Sequence, residues 1–262
     1  MIGIDVGITN TDLVVVERGK IKSSLGSPSG KGVARRLLGL IPDSMGKTIA
    51  ITGAGARGEM KSLKGNAMSV GEIESIGLGA STLAKLSKCV VASMGTGTAI
   101  VRVDGKKCFH VGGTGVGGGT IVGLGEKMLG IKEAEKIGNL ALKGKLERVN
   151  ITVGNVYGGG VGIVPPDATA SNMAKANKCS KEDLALGILD LVGETAGVLA
   201  CFAARDAGVK EIVFVGAVPT IPGMRDILER TTCMFGFKAI IPEEARFSTA
   251  FGAAMLAERV HR

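Results

Sequence analysis

Residues 2–20 read IGIDVGITNTDLVVVERGK, and residues 90–107 read VVASMGTGTAIVRVDGKK. In each, an apolar strand runs into a turn of glycine and threonine, a second apolar strand returns, and a charged glycine turn closes the segment. Set side by side, Gly7 faces Gly95. A repeated strand, polar turn and strand suggests two similar lobes, each offering a hairpin turn to a shared cleft. Two unrelated hairpins are the alternative.

Around the first hairpin, ERGK leads into IKSSL, which completes a β-meander. GVARRLLGLI has helical spacing and TIAITG is a buried strand. GEIESIGLGASTLAKL is a helix opened by Ser69, with acids in its first turn where the macrodipole favours them. Beyond the second hairpin come helical GEKMLGIKEAEKIGNLAL, irregular NVYGGGVGIVPPDATASNMAK and a long apolar helix, DLALGILDLVGETAGVLACFAARDAG. A strand EIVFVGA, a helix around 224–229, a strand KAIIP and a terminal helix from Ser248 onward finish the chain. Alternation of this kind predicts an α/β protein. The expected division is a first lobe over 1–87 and a second over 88–247, with a helix over 248–262 packing back on the first.

The 262 residues, 45% hydrophobic, suffice for one large or two modest cores. Mean hydropathy is +0.31, but no uninterrupted apolar run approaches the ~18 to 20 residues of a membrane span, and MIGIDVGITN lacks a signal peptide's basic start and apolar core. A cytoplasmic protein without a membrane partner is expected. The five cysteines, Cys89, Cys108, Cys179, Cys201 and Cys233, are scattered and form no CxxC, so neither a disulfide framework nor a zinc site is signalled. Net charge is +8, yet the cations are dispersed and Tyr157 is the sole Tyr or Trp, which argues against nucleic acid. An anionic small-molecule substrate suits the same charge.

The turns GITNT and GTGT follow buried strands and can present backbone N–H groups to phosphate. There is no GxxxxGK[ST], and no GxGxxG between a first strand and a helix. Residues 110–125, HVGGTGVGGGTIVGLG, resemble a glycine-rich entry to a helix whose N-terminus would attract phosphate; close helix packing is the competing reading. Asp5, ending the first strand, is either a magnesium ligand or a turn cap. Glu72 and Glu74 lie two apart and cannot share a helix face, so one acts alone as a base or both are solvated.

Together, IGIDVGITNTDLVVV, ITGAGA, GEIES, GTGTAIV, VGGTGVGGGTIVGLG, DATASN, LVGETAGVLA, IVFVGA and FSTAFGAAM resemble, in order, the type II pantothenate kinases of the actin, sugar-kinase and Hsp70 ATPase superfamily. The resemblance implies two ribonuclease-H-like lobes with mixed sheets flanked by helices, ATP and Mg²⁺ in the interlobe cleft, and γ-phosphate transfer to the hydroxyl of pantothenate. By position it implies Asp5, Gly7, Thr9 and Asn10 in the first phosphate turn, with Asp5 toward the metal, and Gly95, Thr96, Gly97 and Thr98 in the second. Glu72 falls at the catalytic base. Gly117, Gly118 and Gly119 fall on the nucleotide side, Gly216, Ala217, Phe247 and Ser248 near the adenosine, and His110, Gly113, Thr114 and Ala170 near the acceptor. A homodimer through the LVGET region is also implied.

Two departures bear on catalysis. His110 stands where the family usually has arginine, and Asp12 where it commonly has lysine, so two cations are missing from a reaction that depends on electrostatics. Lys106, Lys107 and Arg57 are the candidate replacements. The alternative function is an ATP-binding or ATP-hydrolysing regulatory activator of the same superfamily; such activators share an iron–sulfur cluster through paired cysteines, which this chain's cysteines do not resemble.

Overall fold

The computed structural model describes residues 1–42, 46–61, 63 and 67–260; His261 and Arg262, the end of the expected terminal helix, lie outside the described residues. In the first lobe, β1 (Ile2–Val6), β2 (Asn10–Glu17) and β3 (Lys20–Pro28) form the meander, α1 (Val33–Leu38) leads to β4 (Ile49–Thr52), and α2 (Ala56–Met60) to β5 (Ala67–Ser69). Then α3 (Glu72–Ala84) crosses to the second lobe, where β6 (Lys88–Met94), β7 (Thr98–Asp104) and β8 (Lys107–Thr114) form a second meander. Helices α4 (Gly118–Leu129), α5 (Ala134–Ala141) and α6 (Leu146–Val149), strand β9 (Ile151–Thr152), helix α7 (Val153–Tyr157) and strand β10 (Thr169–Ser171) lead to the long helix α8 (Lys181–Ala207). The chain closes with β11 (Glu211–Val215), α9 (Met224–Met234), β12 (Lys238–Ile240) and α10 (Ser248–Val260).

The two sheets have one topology. The first runs β3-β2-β1-β4-β5 and the second, read from its other edge, β8-β7-β6-β11-β12. In both, the meander is antiparallel and the last two strands are parallel to the first. The repeated hairpin is therefore the visible part of a repeated lobe. Side-chain alternation gives each sheet two apolar faces. Ile2, Ile4, Leu13 and Val15 pack under α1 and α2, while Val14 and Val16 meet Ala250, Phe251 and Ala254 of α10. In the second lobe Val91, Val101, Val103 and Val213 lie against Ile76 and Ala80 of α3, and Val90, Ala92, Ile212 and Phe214 lie against α8 and its neighbours.

Helix α3 thus covers the second sheet and α10 the first, and the two helices form the interlobe layer. They cross closely: a Cβ at Gly79 would overlap the Ser248 carbonyl, and one at Gly252 the Ser75 carbonyl. Ser69 does not open α3, because it pairs with Ile51 in β5; the N-cap is Gly71, whose carbonyl accepts Ser75 Oγ at 2.7 Å. The helix expected after the glycine tract divides in two at Gly130, a left-handed cap with φ 71°. Helix α8 is long and apolar enough to cross a membrane, but 67% of its most apolar window is buried inside the protein, as befits a core helix. It opens with a reciprocal cap, Ser180 Oγ accepting from Asp183 N at 3.2 Å and Asp183 Oδ2 from Ser180 N at 3.2 Å.

Candidate active site

Both hairpin turns close on themselves and meet each other. Gly7 N donates to Asn10 O at 2.9 Å, Gly95 N to Gly97 O at 2.9 Å, and Thr9 Oγ1 and Thr96 Oγ1 share a hydrogen bond of 2.9 Å across the cleft. Ser29 braces the first turn, its Oγ donating to Gly7 O at 2.7 Å and its N–H to Thr9 O at 2.9 Å. Among the described residues, no protein acceptor takes the amides of Ile8, Thr9, Thr96 or Gly97. Two turns from two lobes therefore hold unspent donors side by side, an arrangement suited to phosphate oxygens.

The glycine tract serves the second turn from below. Gly118 N donates to Gly95 O at 2.8 Å, Gly119 N to Thr96 O at 2.9 Å, and Gly117 N to Thr120 Oγ1 at 3.2 Å. The three amides expected to face phosphate are thus already committed. A Cβ on Gly117 would stand 2.7 Å from Thr96 O, and one on Gly118 would stand 3.0 Å from Gly95 O, so bare backbone is what lets α4 seat the turn. Thr98 belongs to the same seat, being buried with its hydroxyl donating to Val116 O at 2.8 Å.

Three carboxylates gather at the cleft end of the first sheet. Asp5 and Asp12 are cross-strand partners on the interlobe face, the face that Val14, Val16 and α10 share. Burial, then the nearby charges of Glu72 and Asp12, push the Asp5 carboxyl up to about 7. Asp12 is raised by burial and drawn back by Arg246, whose Nε and Nη2 both reach its Oδ1 at 3.0 Å. Asp12 is therefore not a bare loss of a cation: an arginine from the far end of the chain comes with it. Glu72, the first residue of α3, is exposed, while the Glu74 carboxylate folds onto Gly71 at the helix start. Among the described residues no three such groups come together as a ready metal site, and Asp12 is spent on Arg246; half-buried Asp5 is the carboxylate that would hold a magnesium ion, which takes one or two carboxylates and completes its shell with phosphate oxygens and water.

The remaining expected site residues spread along the cleft and the second lobe. Gly216, at φ 95°, lies against the Met94 carbonyl and donates to Ala245 O at 2.9 Å, and Ala217 opens the 3₁₀ turn Val218–Thr220. Phe247 lies under Arg246, guanidinium to ring centroid 5.4 Å. Ser248 is fully buried, its hydroxyl without a partner among the described residues, so direct contact with a nucleotide is closed to it. Gly113 and Thr114 end β8 beside the second turn, opposite Ala99 and Thr98. His110 is exposed and pairs with Val101 on the face that α3 covers. Lys106 and Lys107, at the β7–β8 turn, stand at the opposite end of that sheet from the cleft, too far to replace a cleft cation.

Ala170 is exposed on β10, and its strand is pinned by a polar network that composition did not announce. Fully buried Asn150 donates to Asp190 Oδ2 at 2.9 Å and to Thr169 Oγ1 at 3.1 Å, and accepts from Met173 N at 2.8 Å. Arg230 pairs with Asp190, and Asn172 Nδ2 donates to Glu194 Oε2 at 2.9 Å. Burial holds both Asp190 and Glu194 above the usual carboxylate range, against the pull of these partners. The available signal was two acids four apart, Asp190 and Glu194, in the apolar middle of α8. A cavity of about 440 Å³ opens beside the network, walled by Thr169, Glu194, Arg230 and Cys233.

Solved structures share this architecture. The activator of 2-hydroxyisocaproyl-CoA dehydratase from Clostridium difficile, with bound ADPNP, is 17% identical with a TM-score of 0.67 over 99% of this chain and 94% of its own. A ROK family glucokinase from Streptomyces griseus, in complex with glucose and AMPPNP, is 12% identical with a TM-score of 0.66 over 99% of both chains. In sequence, a type II pantothenate kinase from Staphylococcus haemolyticus is 29% identical over 80% of this chain and 83% of its own. The model of the Fumble family matches residues 80–223, which hold the second turn, the glycine tract and all of α8. Because that match takes in more than half of the chain, this protein belongs to the Fumble family, that of the type II pantothenate kinases.

Proposed function

We propose that the protein is an ATP-dependent small-molecule kinase that phosphorylates the hydroxyl of pantothenate or a related acid, acting in the cytoplasm as a homodimer. The observation that carries this reading is the convergence of unspent amides from two turns with Asp5 and Glu72 at one end of the interlobe cleft. The amides of Ile8, Thr9, Thr96 and Gly97 hold phosphate oxygens. Asp5, assisted by water, holds magnesium, which when bound supplies fixed positive charge to the phosphates. Glu72 accepts the proton of the acceptor hydroxyl as its oxygen bonds to the γ-phosphorus and the bond to ADP breaks. The acceptor lies toward His110, Gly113, Thr114 and Ala170, and the adenosine toward Gly216, Ala217 and Phe247. Without arginine's planar fork at 110, a carboxylate acceptor is gripped less firmly, so turnover of pantothenate is slow.

A coupled assay with pantothenate and a panel of hydroxylated acids tests the reading. Glu72→Gln is expected to lose on the order of 10²- to 10⁴-fold in rate while Glu74→Gln, two positions on and off the same helix face, loses little. Equal losses would place the base elsewhere. A second reading, an ATP-hydrolysing activator, is favoured by the superposition on the dehydratase activator across nearly the whole chain. Hydrolysis unaffected by any acceptor would support it.

A further inference from the structure

Three carboxylates line the end of a cleft proposed to receive a polyphosphate, and such a ligand is not accepted there without positive charge. We infer that Arg246 supplies that charge: its guanidinium binds the nucleotide's phosphates and is held in place by Asp12. The inference rests on the proposed nucleotide site.

Asp12 lies opposite Asp5 on the interlobe face, and cross-strand partners have Cβ atoms only about 4.5–5.5 Å apart, so a guanidinium on Asp12 stands one strand from the proposed metal ligand. The slot is specific. Asp12 pairs on its other side with Gly26, where a Cβ would overlap Arg246 Nη2 and lie 2.6 Å from Asp12 Oδ1. Only a residue without a side chain lets the guanidinium lie there.

The anchor is specific as well. Arg246 belongs to the turn Ala245–Phe247, which accepts Gly216 N from the second lobe at its first residue and passes into α10 on the first lobe. Its backbone is therefore tied to both lobes, and Phe247 supports the guanidinium from one side. Asp12 engages Nε and Nη2, so the inner edge of the fork is spent while the side chain remains 37% exposed against 12% for Asp12. The outer edge is left for an anion, and arginine's rigid fork suits phosphate oxygens.

Calorimetry on the full chain with magnesium-ATP, and separately with adenosine, decides the matter. Arg246→Gln is expected to weaken ATP by roughly 10- to 100-fold, the range for a charged hydrogen bond, and to leave adenosine unchanged. Asp12→Asn, which loosens the guanidinium, is expected to weaken ATP by less than Arg246→Gln does and to leave adenosine unchanged, and the double variant to lose no more than Arg246→Gln alone. Should Arg246→Gln fold poorly, Arg246→Lys, with the charge but not the fork, is expected to fall between it and the native chain. If ATP and adenosine weaken by one factor, or if Asp12→Asn weakens ATP as much in the Arg246→Gln background as in the native chain, the pair is a structural latch and the inference is wrong. Absence of ATP binding in the native chain would instead remove the nucleotide site on which it rests.

Discussion

Asp5 carries the conflict between stability and function most clearly. A carboxylate on a buried strand end, facing Glu72 and Asp12, keeps its proton to about pH 7 instead of 3.8. Between those values the folded chain holds a proton that the unfolded chain has released, so stability falls as pH rises through the window. Below it both states are protonated and Asp5 contributes nothing; above it the cost is constant. In magnesium-free buffer, Asp5→Asn is therefore expected to raise the thermal midpoint well above the native chain's at pH 8 and by much less at pH 5. A difference independent of pH would mean that the carboxyl titrates normally. The same residue was legible in the sequence as the end of a strand before a glycine turn, but its neighbours were not all legible. Glu72 could be named because a helix start is a local pattern. Arg246 could not, since it meets Asp12 across 234 positions and nothing local marks the pair.

At the scale of elements, what was legible is what alternation and glycine spacing encode: the two meanders, the buried strands and the long apolar helix. What was not legible is which face meets which. Helix α3 follows the first lobe in sequence, yet its Ile76 and Ala80 pack on the second sheet. Residues 117–119 are the sharper case, because backbone that is bare for a ligand and backbone that is bare for packing look alike in one sequence. The committed amides of Gly117, Gly118 and Gly119 point to packing. Gly118→Val would press on Gly95 O at 3.0 Å and on Val218 Cγ2 at 3.3 Å. Overpacking of this kind costs roughly 1–3 kcal/mol, and here the displaced atoms belong to the phosphate turn itself. The variant is expected to melt earlier and to bind ATP more weakly. Unchanged ATP affinity alongside a lowered midpoint would show that the turn does not depend on its seat.

Across the whole molecule, each lobe has its own core, and the lobes meet through the α3–α10 crossing and the Thr9–Thr96 contact. The crossing is closely packed through Gly79 and Gly252, whereas the turns touch by a single side-chain hydrogen bond. One end of the cleft is therefore fixed and the other is held lightly, which leaves the turns as the part that a ligand can order. A polyphosphate bound between them would engage donors from both lobes at once and stabilise the closed arrangement by mass action. Amide hydrogen exchange reads this directly, since Ile8, Thr9, Thr96 and Gly97 have no acceptor among the described residues to protect them. Magnesium-ATP is expected to slow exchange in both turns together, at the same ligand concentration, while adenosine protects neither. Protection confined to one turn would mean that the ligand belongs to a single lobe, and the repeated hairpin from which the fold was read would then be a relic of topology with no shared task.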